Sequence, residues 1–272
     1  MDFQLKKHYE ISDLREIMRI LRSENGCPWD REQTHASMRK NLIEETYEAV
    51  EAIDLQDTAL LREELGDVLL QVMFHSQMEE EAGSFCFEDV VDELCQKLIT
   101  RHPHVFSNVQ ADSVDEVLSN WEAIKENSKG QTTAGETLTS VAQSLPALMR
   151  CEKVQGRAKK ANPVFGYADV SAMLKDLHSE VEEAEEAIGK GDLPQIEEEL
   201  GDVLFSAVNL ARNYHLDPGE LLTRSTDKFI ARFCAVEKMV LDEGKTMKDA
   251  DEALLDRCWK AAKAAEKLNS RG

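Results

Sequence analysis

Positive charge is scarce in this chain: 53 acidic residues face 32 basic ones, for a net charge of −21 over 272 residues. Binding to nucleic-acid backbone or anionic membrane is driven largely by Lys and Arg, so neither is an expected partner. Long apolar runs are missing too. The opening MDFQLKKHYEISDL contains nothing suited to a signal peptide, and no stretch approaches the roughly 20 apolar residues of a membrane span. The six cysteines, Cys27, Cys86, Cys95, Cys151, Cys234 and Cys258, form no C-x-x-C pair and no zinc-like spacing. They read as reduced, mostly buried thiols of a cytoplasmic protein.

Strand signals are equally absent, since no alternating apolar–polar run is bounded by turn residues. Proline is rare, and each of the six (Pro28, Pro103, Pro146, Pro163, Pro194, Pro218) falls where a helix would start or stop. Neither G-x-x-x-x-G-K-[ST] nor G-x-G-x-x-G occurs, which excludes P-loop and Rossmann nucleotide sites. Of the seven histidines only His35 follows a glutamate, Glu32, by three, so the pair of Glu-x-x-His motifs that a di-iron bundle needs is missing. Ser–His–Asp and Cys–His chemistry have no supporting local motif. What remains is helical periodicity, with 42% hydrophobic residues to build a core. The expectation is an all-α chain.

That chain is written twice. EELGDVL spans residues 63–69 and again 198–204. Glu45 and Glu48 recur as Glu180 and Glu183 at the same offset of 135 residues. Lys97 and Arg101 parallel Lys228 and Arg232, and Trp121 parallels Trp259. Acid helix, acid helix, basic helix and Trp follow one another in that order in both halves. The seam from Ser128 to Gly135 is polar and poor in large apolar residues, which suggests a linker over 128–136 between domains 1–127 and 137–272.

Helical phase turns the acids into a candidate site. At about 100° per residue, Leu42, Thr46, Ala49, Val50 and Ile53 form one stripe, with Glu45 and Glu48 along its edge. Leu61, Leu65, Val68, Leu69 and Val72 form another, and Glu64 and Asp67 occupy the same angular position beside it. Packing two such helices on their stripes brings four carboxylates together, and Glu180, Glu183, Glu199 and Asp202 do the same in the second half. Converging carboxylates repel one another unless a cation neutralises them. Oxygen-only ligands suit Mg²⁺, or Mn²⁺ in its place. Gly66 and Gly201, each about 1 kcal/mol worse than alanine within a helix, point to close approach of backbone, ligand or a neighbouring helix. Glu44, Glu51 and Glu63 point more outward, although Glu63 and its counterpart Glu198 could reach a bound water as general base. Lys228 and Arg232, four apart on one face, suit phosphate oxygens or a surface ion pair. Trp259 suits either a stacked base or a hydrophobic anchor.

GCPWD (26–30), EETYEAVEAI (44–53), REELGD (62–67) and RHPHVF (101–106), with SLPALMR (144–150), EEELGD (197–202), KFIARF (228–233) and Trp259, resemble the MazG family of nucleoside triphosphate pyrophosphohydrolases in its two-domain form. The resemblance covers nearly the whole chain. It implies tandem helical units assembling as a homodimer, with E-E-x-x-E and E-x-x-D helices holding Mg²⁺. It also implies cleavage of NTPs and dNTPs between the α- and β-phosphates, principally in the C-terminal unit. Carried over residue by residue, the C-terminal metal ligands are Glu180, Glu183, Glu199 and Asp202, and those of the N-terminal site are Glu45, Glu48, Glu64 and Asp67. Lys228 and Arg232 hold phosphates, Trp259 contacts the base, and Glu198 is the candidate base for water. Three positions depart from the family pattern: Ser179 where the N-terminal copy has Glu44, Tyr167 in place of a Trp, and Thr226 in place of an Asn. The competing reading is a non-catalytic acidic helical module that dimerises or senses a nucleotide or metal. A hybrid, with one half catalytic and the other structural or regulatory, is the third.

Overall fold

The computed structural model describes residues 3–107, 113–114, 116–117, 120–121, 124 and 132–269. Among them there are helices and no strands, as the periodicity predicts. The chain divides into two compact units, Met1–Lys125 and Glu126–Gly272. Residues 128–131 of the expected linker lie outside the described residues. From residue 132 onward the segment is ordered as a helix start: the Thr133 side chain accepts from the Glu136 backbone N–H and caps a helix over Ala134–Thr139.

In the N-terminal unit the helices are α1 (Ile11–Arg22), α2 (Pro28–Glu32), α3 (His35–Asp54), α4 (Thr58–Ala82), α5 (Phe87–Arg101) and α6 (Pro103–Phe106). α3 and α4 form an antiparallel hairpin. Asp57 makes the reversal possible, because its carboxylate accepts from the backbone N–H groups of Ala59 and Leu60 and caps α4. The core gathers Met18 from α1, Met38 from α3, and Met73, Phe74 and Met78 from α4. It therefore lies toward the C-terminal half of α4, beyond the stripe that phase alone assigned. Val50, Ile53 and Leu65 of the expected stripes are exposed, because each face of the hairpin needs a neighbour and this unit supplies one for only part of it.

In the C-terminal unit, α7 (Ala134–Thr139) and α8 (Ala147–Ala161) lead through a 3₁₀ turn over Pro163–Gly166 to α9 (Val170–Lys190) and α10 (Leu193–Asn213). Then follow α11 (Pro218–Asp242) and α12 (Glu252–Asn269). α9 and α10 repeat the α3–α4 hairpin. Asp192 caps α10 at the position matching Asp57, accepting from the Gln195 N–H. α11 and α12 pair around Val236, Val240, Leu254, Cys258 and Ala262. All six prolines stand at helix starts: Pro146 is the N-cap of α8, and the others occupy N1 or N2 of their helices or of the 3₁₀ turn. The cysteines correct one expectation. All six are free, but only Cys258 is buried, while Cys95 and Cys234 are exposed. Helices this thinly covered have too little interior to hide every thiol.

Candidate metal and nucleotide site

Each hairpin brings its acids together. In the N-terminal unit, carboxylate oxygens of Glu45, Glu48 and Glu64 lie within 4.8 Å of one another. In the C-terminal unit those of Glu180, Glu199 and Asp202 do the same. Glu64 and Glu199, matching residues of α4 and α10, are the buried members of the two clusters. Glu48 and Asp202 are exposed, so each cluster opens to solvent on one side. The fourth acid of each set sits close by. Burial first, and then the charges of Asp67, Glu48 and Glu64, hold the Glu45 carboxyl above its ordinary range. Burial followed by Glu48, Asp67 and Glu63 does the same for Glu64. Glu180 is raised by burial, then Asp202, Glu183, Asp176 and Glu199.

No described Lys or Arg forms an ion pair with any of these eight carboxylates. Surplus acid chains elsewhere find bases, as Arg22 does with Glu81 at 2.8 Å. The clusters thus consist of mutually repelling oxygen donors with, among the described residues, no base in ion-pair contact. Such a donor set fits a hard divalent cation.

The departures seen in sequence take definite places. The Ser179 hydroxyl donates to the Glu183 carboxylate at 3.1 Å, so it serves a neighbouring acid. Thr226 spends its hydroxyl on the Leu222 carbonyl within its own helix, at 2.9 Å. Tyr167 donates to Asp176 at 2.6 Å, and burial with that contact pushes its phenol up to about 12.

Lys228 is exposed on α11. Arg232, on the same face, is held by Glu266 of α12 at 2.6 Å. Trp259 packs tilted against Phe229, ring centroids 5.6 Å apart, at the edge of the α11–α12 core. In the N-terminal unit the matching Arg101 lies over the Trp121 ring at 5.1 Å. Glu198 is exposed on α10, next to buried Glu199. Gly66 and Gly201 correct another expectation. A Cβ at either position would meet nothing within 4 Å, so no backbone or neighbouring helix of the chain demands a glycine there.

Two copies of one helical hairpin with one acid pattern match one family model twice: the MazG nucleotide pyrophosphohydrolase domain, over residues 33–106 and 169–236. The chain belongs to the MazG family. It is 40% identical over 254 residues to the nucleoside triphosphate pyrophosphohydrolase/pyrophosphatase MazG of Thermotoga maritima, covering 93% of this chain and 96% of that one. To the nucleoside triphosphate pyrophosphohydrolase of Escherichia coli it is 40% identical over 262 residues, covering 94% and 98%. An uncharacterized protein, YabN of Bacillus subtilis, is 41% identical over 263 residues, and there this chain spans 53% of the relative's length. Both MazG matches contain their acid cluster. The C-terminal match includes Lys228 and Arg232 but ends before Trp259.

The Asp176 contacts were missed in sequence. Its helical phase, four residues before Glu180, is the one signal that could have found it.

Proposed function

We propose that the chain is a cytoplasmic, Mg²⁺-dependent nucleoside triphosphate pyrophosphohydrolase, converting NTPs and dNTPs to monophosphate and pyrophosphate, principally in its C-terminal unit. The observation that carries this reading is the pair of carboxylate clusters, each inside a MazG match and neither ion-paired to a base among the described residues. Glu180, Glu183, Glu199 and Asp202 would hold the cation, as Glu45, Glu48, Glu64 and Asp67 would in the N-terminal unit. When bound, Mg²⁺ offsets triphosphate charge and lowers the pKa of an attacking water, with Mn²⁺ able to substitute. Glu198 accepts the proton of that water. Lys228 and Arg232 hold phosphate oxygens, for which Arg232 exchanges Glu266 for the ligand. Trp259 contacts the base. The net charge of −21 suits a small metal-complexed anion better than a nucleic acid.

A second copy of the chain is the natural cover for the hairpins. Tyr47 and Ile53 on α3 are 56% and 57% exposed, and Ile188 and Leu204 on α9 and α10 are 57% and 62% exposed. Light scattering should report a homodimer.

The activity test uses full-length protein with Mg²⁺ and a panel of NTPs and dNTPs, reading pyrophosphate release. Glu199→Ala or Asp202→Ala should abolish turnover, and Glu64→Ala should leave most of it. Wild-type rates in Glu199→Ala or Asp202→Ala would refute the assignment.

A further inference from the structure

The C-terminal cluster lacks an acid at 179, where its N-terminal counterpart has Glu44, yet it has gained one a turn earlier. Asp176 precedes Glu180 by four residues and Glu183 by seven, so the three share one face of α9. Its charge bears on Glu180. Two hydroxyls from outside α9 fix it. Tyr167 donates to Asp176 Oδ2 at 2.6 Å, and Ser206 of α10 donates to the same oxygen at 2.8 Å. Both bonds fall on Oδ2, and among the described residues no hydrogen bond reaches Oδ1.

The clamp is itself supported. Ser206 and Asn209 are buried, at 6% and 4% exposure. Tyr167 reaches Asp176 from a backbone at φ 60°, ψ 160°, a region that side-chain-bearing residues rarely adopt. Such strain persists where surrounding contacts over-determine it. At the same 135-residue offset the N-terminal unit carries Glu32 in place of the phenol, Asn41 in place of the carboxylate and Gln71 in place of the serine, so this clamp is not repeated there.

We propose that Tyr167 and Ser206 are positioning residues that aim the Asp176 carboxylate at the C-terminal cluster, where it replaces the outer acid lost at Ser179 and strengthens divalent-cation binding. The inference rests on the metal reading above. Carboxylates just outside a ligand set orient ligands and cation-bound waters, and losing one typically weakens metal binding about 10- to 100-fold.

The test is calorimetric titration of Mn²⁺ and Mg²⁺ into nucleotide-free, full-length protein carrying Glu64→Gln, so that the C-terminal cluster dominates the signal. Asp176→Asn, which keeps an acceptor for both hydroxyls, should weaken cation binding about tenfold or more. Tyr167→Phe keeps every charge and should weaken it at least threefold; Ser206→Ala should act in the same direction. A purely structural role would lower Tm and leave the affinity alone. Affinity within twofold of the parent in Asp176→Asn overturns the inference while the metal reading stands. The same result in Tyr167→Phe overturns the positioning role. A parent protein that binds no divalent cation overturns the metal reading and this inference with it.

Discussion

Replacing Glu199 by Gln should make the metal-free protein more stable and the metal-loaded protein less so. Glu199 is buried, and its carboxylate oxygen lies within 4.8 Å of oxygens of both Glu180 and Asp202. Two unit charges at that separation repel by about 3.5 kcal/mol at an effective dielectric of about 20, and by about 1 kcal/mol in water. Because Asp202 is exposed, its share is heavily screened, and a net gain of about 1–2 kcal/mol is expected for Glu199→Gln in EDTA. For a unit of this size that raises Tm by about 2–8 °C. Mg²⁺ at 100 times its Kd stabilises the wild type by about 2.7 kcal/mol, whereas the variant lacks a central ligand, so the order reverses.

The pH dependence has a definite sign. Glu180 has its folded pKa raised above the unfolded value of about 4.5, so ionising it costs the folded state. The metal-free protein therefore loses stability as pH rises from about 4.5 through that raised value, less steeply in Glu199→Gln. Scanning calorimetry with and without Mg²⁺ reads all of this. A variant less stable than wild type in EDTA, or stabilised equally by Mg²⁺, would sink the electrostatic argument.

Gln56 has φ 55°, while Gly191 at the matching position of the second hairpin has φ 68°, so Gln56→Gly should stabilise the N-terminal unit by about 1 kcal/mol in denaturant titrations. Gly201→Ala enters open space and should add about 1 kcal/mol of helix stability to the protomer; a simultaneous loss of pyrophosphate release or of dimer on a sizing column would show that ligand or partner occupies that space. His75, lowered by burial and then by His35, binds fewer protons folded than unfolded below 6.5. The N-terminal unit should hold its full stability above that pH and lose it as pH falls, and His75→Gln should flatten the dependence seen in thermal melts.

The sequence by itself determined whatever depends on one helix at a time. Proline positions, the caps at Asp57 and Asp192, the duplicated hairpin and the placing of acids on one helical face all follow from local geometry, in which residues three and four apart must be neighbours. Even Ser179 beside Glu183 is such a pair. Tertiary structure decided the rest, because contacts between helices depend on where each stripe finds a partner. It shifted the N-terminal core toward Met73, Phe74 and Met78 and left Val50, Ile53 and Leu65 exposed. It joined Arg232 to Glu266, residues 34 apart. It also brought Tyr167 and Ser206, from a 3₁₀ turn and a different helix, onto one oxygen of Asp176. Helical periodicity could place Asp176 near the site, but only the packing of α9 on α10 and the turn before α9 could show which hydroxyls hold it there.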